Sequence, residues 1–374
     1  MDVFTLLIIG AVIIGYIGTL LFKANQAEAT RTEHVAILAG AGFEDAQHRV
    51  RQQSSILLYM LNYGVIAILV LFPLMILLIA VATNSPAFSD QVGGLGANFG
   101  PLDMTLAVSV MVIGILMALI SLATLHSAGF RMLISKVTSG GFNPLSQVHI
   151  AGVGLMMLLL VITIGQLAFL GGLSGLATQF EQVTVGVQDL IFQMVLFIAV
   201  AFLAIGFAIR RNLTDSLQRL GLRLPTLSDV AWGVAVGLGL YGVLIVLVTA
   251  WSALVPPEVM AEQTAASELL ARSFNTLPLA FAVAFTAAVG EEILFRGALQ
   301  PIFGLILSSV YFVLVHIQYT LTPATLIILV VSLGLGVLRK RQSTTACIIA
   351  HFVYNFVQLA LAVFAVQFLG GAGT

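Results

Sequence analysis

Charged residues are scarce in this 374-residue chain, where Asp, Glu, Lys and Arg together make up only 8%. Globular proteins carry roughly 25%. Hydrophobic residues account for 60% of the sequence, and apolar runs of about 18 residues or more recur along it. A surface of this kind suits a lipid bilayer and excludes an ordinary soluble enzyme. We therefore predict an all-α fold, a polytopic transmembrane helical bundle.

Cysteine is almost absent, since Cys347 is the only one. One thiol forms no intrachain disulfide and no structural zinc site, so we expect Cys347 to be a packing residue. An excess of charge is absent too, because the net charge is -1. Without a basic field, nucleic acid is excluded as a partner.

Ten apolar segments are long enough, or nearly so, to span a membrane. They cover about residues 3–22, 55–83, 104–125, 149–171, 189–209, 230–251, 279–299, 302–319, 324–338 and 344–369. Of the 15 Lys and Arg residues, 13 lie in connections that follow odd-numbered segments. By the positive-inside rule these connections are cytoplasmic, which predicts about ten spans with both termini outside.

Ionisable side chains inside hydrocarbon are costly, and each is by default a functional candidate. The seventh segment contains Glu291, Glu292 and Arg296. Glu292 and Arg296 are four residues apart, so they can pair on one helix face. Glu291 points about 100° away from Glu292 on a helix, which leaves Glu291 free for catalysis.

Two later segments each carry a further pair of residues spaced four apart. Phe312 and His316 lie in the eighth segment, and His351 and Asn355 lie in the tenth. This spacing places both side chains of a pair on one helix face. Counted from the cytoplasmic ends, Glu291, His316, His351 and Asn355 can share one layer of the bilayer. Chemically active residues are concentrated after residue 209, where we place a domain boundary.

The sequences EEILFR, FVLVH and HFVYN occur in this order on successive late segments. They resemble the EExxxR, FxxxH and HxxxN motifs of the CAAX protease and bacteriocin-processing family, also called CPBP or Abi. These intramembrane endopeptidases include the type II CAAX prenyl proteases. The resemblance covers about residues 212–369. It implies a protease domain at 210–374, of about five spans, after a transmembrane extension of unknown role at 1–209.

The resemblance also implies roles for the motif residues. Glu291 and His316 would activate a water, and His351 and Asn355 would stabilise the oxyanion. Glu292, Arg296 and Phe312 would support the site structurally. A carboxylate and an imidazole can each act as a general base. Hydrogen-bond donors held in place beforehand stabilise the negative charge that develops on the carbonyl oxygen.

A metal is an open alternative. Glu291, His316 and His351 would provide three zinc ligands and leave the fourth coordination position open. The HExxH spacing is absent and Asn is a poor zinc ligand, which slightly favours a metal-free glutamate mechanism over Zn²⁺.

The function expected is hydrolysis of a peptide bond near the membrane, in a peptide or protein substrate arriving from the membrane or the cytoplasm. The protein is expected in a prokaryotic plasma membrane. Two alternatives stay open. A non-catalytic scaffold or bacteriocin-immunity protein could use the same fold, and a secondary transporter could place charges at mid-membrane. A transporter should show an inverted repeat and charged groups in both halves.

Overall fold

The computed structural model describes residues 3–39, 56–85, 102–139, 141–169, 186–255, 276–316 and 323–368. Helices dominate these residues, and no strand occurs among them. The elements are α1 (Val3–Ala39), α2 (Ile56–Asn84), α3 (Met104–His126), α4 (Ala128–Val137), α5 (Gln147–Phe169), α6 (Val187–Ile205), α7 (Leu213–Leu220), α8 (Leu227–Ser252), α9 (Leu277–Glu292), a π-helical segment (Ile293–Leu299), α10 (Gln300–Leu314), α11 (Pro323–Arg341) and α12 (Thr344–Phe368). The all-α prediction is confirmed.

Seven described stretches are long and apolar enough to cross a membrane. They are Ile56–Asn84, Met104–His126, Gln147–Phe169, Val187–Ile205, Leu227–Ser252, Leu277–Leu314 and Thr344–Ala365. Many of their large apolar side chains face outward, such as Leu71 at 60% exposed and Val246 at 66%. A surface of this kind requires lipid around it, so the chain is an integral membrane protein. The predicted segments 3–22 and 324–338 are helical, within α1 and α11, but are not among the seven.

The chain divides into two compact units. Unit 1 comprises Met1–Phe169 and Phe202–Ser216, and unit 2 comprises Leu170–Ala201 and Leu217–Thr374. In unit 1, buried leucines and valines of α1, α2 and α5 form the core. A polar cluster joins α1 to the segment after α6, because Arg210 donates to Asn25 at 2.7 Å and pairs with Glu28 at 3.3 Å.

Unit 2 is built on close packing of α8 against α12. A Cβ added to Gly233 would lie 2.7 Å from Ile349 Cβ, and one added to Gly237 would lie 2.6 Å from the Ala350 carbonyl oxygen. Small residues four apart let membrane helices approach in this way. The contact fixes the position of α12, which carries His351.

The chain reverses direction at Gly304, inside the stretch from α9 to α10. Gly304 has φ 76° and ψ 174°, a conformation that essentially only glycine adopts. After the reversal, the Phe312 ring packs 4.9 Å from the Phe295 ring, although the two residues are far apart in sequence. The stretch is therefore a hairpin whose two arms correspond to the predicted seventh and eighth segments.

Replacing Gly304 by Ala should weaken this hairpin. A Cβ in this backbone conformation costs about 1–3 kcal/mol, which should appear as a lower melting temperature in detergent. Gly239→Ala is the matched control, because an added Cβ there meets nothing within 4 Å. Equal melting temperatures for the two variants would contradict the assigned turn.

Candidate active site

Both candidate carboxylates lie at the end of α9. This helix is capped by Thr276, the residue before it, whose side chain accepts a hydrogen bond from the Leu279 N–H. It ends with Glu291 and Glu292, directly before the π-helical segment. π-helical turns are frequent at functional sites. Gly290 lets α6 pack against this turn, since an added Cβ would lie only 3.1 Å from Met194 Cα.

Glu292 and Arg296 form an ion pair shielded from solvent. Arg296 Nε lies 3.1 Å from Glu292 Oε2, and both side chains are fully buried. Arg296 Nη2 also donates to the Ser332 hydroxyl at 3.1 Å. The four-residue spacing predicts this pairing, and the structure brings the two side chains together. The part played by Ser332 was not foreseen, although it is the lone hydroxyl in the apolar run LIILVVSLGLGVL.

Glu292 has a second partner that the sequence did not indicate. His351 Nδ1 lies 2.9 Å from Glu292 Oε1, and His351 is only 5% exposed. One carboxylate thus holds Arg296 with one oxygen and His351 with the other. Because the carboxylate accepts, Nδ1 is the donor. His351 then offers a donor at Nε2 only as the imidazolium.

Glu291 meets the other histidine. His316 Nε2 lies 3.7 Å from Glu291 Oε2, and the side chains are 18% and 14% exposed. His316 Nδ1 lies 2.6 Å from the Phe312 carbonyl oxygen, which can only accept, so Nδ1 carries the hydrogen. In the neutral ring, Nε2 therefore turns a lone pair towards Glu291. The distance of 3.7 Å is too long for a direct hydrogen bond.

Phe312 packs between the two carboxylate–histidine pairs. Its ring centroid lies 4.2 Å from that of His316 and 6.4 Å from that of His351. The Arg296 guanidinium lies 5.0 Å from the same ring, within cation–π range. Phe312 itself is 2% exposed. It thereby contacts His316 and Arg296 and lies near His351.

Asn355 lies on α12 one turn after His351 and is half-buried. Within the described residues, we find no hydrogen bond made by its amide. The structure thus joins Glu291 to His316, and Glu292 to Arg296 and His351. That Glu291, His316, His351 and Asn355 converge on one site stays a prediction.

The metal-binding alternative requires three converging ligands. Among the residues that the structure describes, no group of three or more His, Cys, Asp or Glu side chains is placed to hold a metal ion. Glu292 engages Nδ1 of His351, and the Phe312 carbonyl engages Nδ1 of His316. Zinc binding by Glu291, His316 and His351 stays a prediction, and we derive no step through a metal.

The single cysteine, Cys347, is buried and forms no disulfide, and its thiol lies 3.3 Å from the Leu335 carbonyl oxygen. Cys347 packs against α11 residues in the core of unit 2. This location agrees with the packing role expected from the sequence.

Comparison with known proteins finds a match, which covers this region of the chain. A family model described as type II CAAX prenyl endopeptidase Rce1-like matches residues 273–357. The match runs from the start of α9 past His351 and Asn355 in α12. No match was found among curated proteins or among solved structures. The predicted resemblance to the CAAX protease family, a family of membrane peptidases, is confirmed over residues 273–357.

Proposed function

We propose that this protein is an intramembrane endopeptidase in which Glu291 and His316 together activate the attacking water. The observation that carries the proposal is the pair of facing acceptors, Glu291 Oε2 and His316 Nε2, at 3.7 Å. A water that bridges the two atoms from one side would donate one hydrogen to each and direct its lone pairs outward. This arrangement polarises the water as a nucleophile.

The reaction follows from this arrangement. The water oxygen attacks the scissile carbonyl carbon while its proton passes to Glu291. The carbonyl oxygen becomes an oxyanion, for which His351 Nε2 and the Asn355 amide are the proposed donors. A donor of this kind contributes about 3–4 kcal/mol. Collapse of the intermediate breaks the C–N bond, and the proton held by Glu291 moves to the leaving nitrogen.

Glu292 is proposed as a positioning residue for the oxyanion donor. Its carboxylate accepts a hydrogen bond from His351 Nδ1, which fixes the orientation of the imidazole ring and the direction of Nε2. Arg296 fixes the same carboxylate from the other side. The two adjacent glutamates therefore serve different histidines.

The distribution of buried charge supports a peptidase over a transporter. Among the residues that the structure describes, the buried Asp, Glu, Lys, Arg and His side chains are Asp229, Glu292, Arg296 and His351, all in unit 2. A transporter is expected to carry such groups in both halves. A scaffold or immunity protein would differ by lacking hydrolytic activity.

We propose that the substrate is a peptide or protein carrying an apolar chain, of the prenyl type named in the family description. Four phenylalanines of α9 and α12 form a partly exposed aromatic patch, consisting of Phe281, Phe285, Phe352 and Phe356. Phe352 and Phe356 directly follow His351 and Asn355 in sequence. An apolar chain on this patch would lie close to the proposed site.

Cleavage of a matched pair of peptides tests this function. Purified protein in lipid nanodiscs should cleave a prenylated CAAX-type peptide faster than the same peptide without the prenyl group. Phe281→Ala with Phe352→Ala should raise KM for the prenylated peptide only. Phe192→Ala is the control, because this α6 side chain is 56% exposed. Equal cleavage of both peptides would contradict the proposed binding of the prenyl group to the aromatic patch. Absence of cleavage would favour a non-catalytic scaffold.

We further propose ten spans with both termini outside, residues 210–374 as the protease domain and 1–209 as an extension, in a prokaryotic plasma membrane. The asymmetry of Lys and Arg supports this topology. Reporter fusions after residues 40 and 220 should both give a cytoplasmic signal. A periplasmic signal from either fusion would overturn the orientation.

A further inference from the structure

We infer that Arg219 and Arg339 are positioning residues for the π-helical segment, because they bind the two backbone carbonyls to which the residue at 301, a proline, would donate in one helical register or the other. The structural part of this inference stands alone, and its catalytic consequence rests on the proposed function. Neither arginine belongs to the motifs that identify the site.

The sequence creates the need for these partners. At the end of the π-helical segment, the Gln300 N–H donates to the Phe295 carbonyl, five residues earlier. The next residue, Pro301, has no N–H. An N–H at position 301 would donate to Arg296 O in a π-helix, five residues earlier, or to Gly297 O in an α-helix, four residues earlier.

Both carbonyls receive an arginine side chain instead. Arg339 Nε, from the end of α11, donates to Arg296 O at 3.2 Å. Arg219 Nη1, from α7, donates to Gly297 O at 3.3 Å. In a membrane helix, side chains of neighbouring segments can replace a missing main-chain donor, since an unsatisfied carbonyl is costly in hydrocarbon.

The surrounding backbone leaves room for these contacts. Gly221 has φ 70°, and a Cβ added there would collide with the Arg339 guanidinium. A Cβ added to Gly297 would lie only 3.1 Å from the Leu220 carbonyl oxygen. The end of α7 therefore lies directly against the π-helical segment at Gly297, and Gly221 leaves space for the Arg339 guanidinium.

Arg296 links the contacts to the proposed chemistry. Its side chain holds Glu292, which in turn holds His351, while its backbone carbonyl is held by Arg339. Loss of the Arg339 contact would let the π-helical segment shift. The Glu292–His351 bond would shift with it, so turnover should fall more than substrate binding.

Hydrogen exchange on the full-length protein in nanodiscs tests the inference without requiring activity. Arg339→Met should speed amide exchange across residues 293–303 by about tenfold to a hundredfold, the factor that a hydrogen bond to a charged donor represents. Arg219→Met should act in the same direction. Arg341→Met is the matched control, since Arg341 is exposed in the same turn of α11. Exchange in Arg339→Met equal to that in the control would overturn the inference.

A rescue experiment separates this role from general destabilisation. Pro301→Ala restores a main-chain N–H, so it should return exchange in Arg339→Met towards the wild-type rate. If Arg339→Met alone does not fold, the double variant Arg339→Met with Pro301→Ala should still give folded protein. Failure of the double variant to fold would contradict the inference.

If the wild type cleaves peptide, Arg339→Met should lower kcat by about tenfold with KM little changed, and adding Pro301→Ala should restore kcat. A wild type without peptidase activity would defeat the proposed function and leave the exchange result to decide this inference.

Discussion

Glu291→Gln is expected to reduce peptide hydrolysis by about 10²–10⁴-fold, the usual contribution of a general base. The amide has nearly the shape of the carboxylate but cannot take the proton of the attacking water. Stability should change little, because Glu291 Oε2 makes no hydrogen bond within the described residues. Turnover of a CAAX-type peptide in nanodiscs and the melting temperature of the same sample measure the two effects.

His316→Gln provides the matching control for this prediction. It removes the second base of the pair and should also reduce turnover, and the double variant should be little worse than either single variant. Residues that act as one unit are strongly non-additive in this way. If Glu291→Gln kept wild-type turnover while Glu292→Gln lost it, the roles of the two glutamates would be exchanged.

Glu292→Gln is expected to have the opposite profile, with a large loss of stability. Breaking a buried ion pair by removing one partner costs about 3–5 kcal/mol, because the remaining charge is left buried and uncompensated. Here the remaining charge is Arg296, whose side chain is fully buried. The free energy of unfolding in detergent, compared with that of Glu291→Gln, measures the difference. Turnover should fall as well, since His351 loses its carboxylate.

Removing both charges tests the cause of that loss. Glu292→Gln combined with Arg296→Met leaves no unpaired buried charge, so the double variant should be more stable than Glu292→Gln alone. Activity should not return, because His351 still lacks its carboxylate partner. Glu292→Gln as stable as Glu291→Gln would contradict the buried ion pair.

The sequence predicts those features that depend on composition and on spacing within one helix. Scarce charge and recurring apolar runs predict an all-helical membrane protein. The four-residue spacing of Glu292 and Arg296 predicts their contact, because both lie on consecutive turns. The spacing of Phe312 and His316 likewise predicts that the two rings share one face.

Contacts between helices could not be predicted in this way. The Glu292–His351 bond depends on how α12 packs in unit 2, and glycines of α8 set the position of α12. Helical periodicity carries no information on such a distance. The arginine contacts to Arg296 O and Gly297 O also join distant segments. Pro301 was the available signal, because a proline in a membrane helix implies a carbonyl that needs another donor.

Hydrolysis of a CAAX-type peptide in H₂¹⁸O tests the central claim most directly. The wild-type protein should release a fragment carrying one ¹⁸O in its new carboxylate, as mass spectrometry can measure. Glu291→Gln and His316→Gln should still bind the peptide but release almost no labelled fragment. Labelled product formed by Glu291→Gln at the wild-type rate, or no product from the wild type, would contradict water activation by Glu291 and His316.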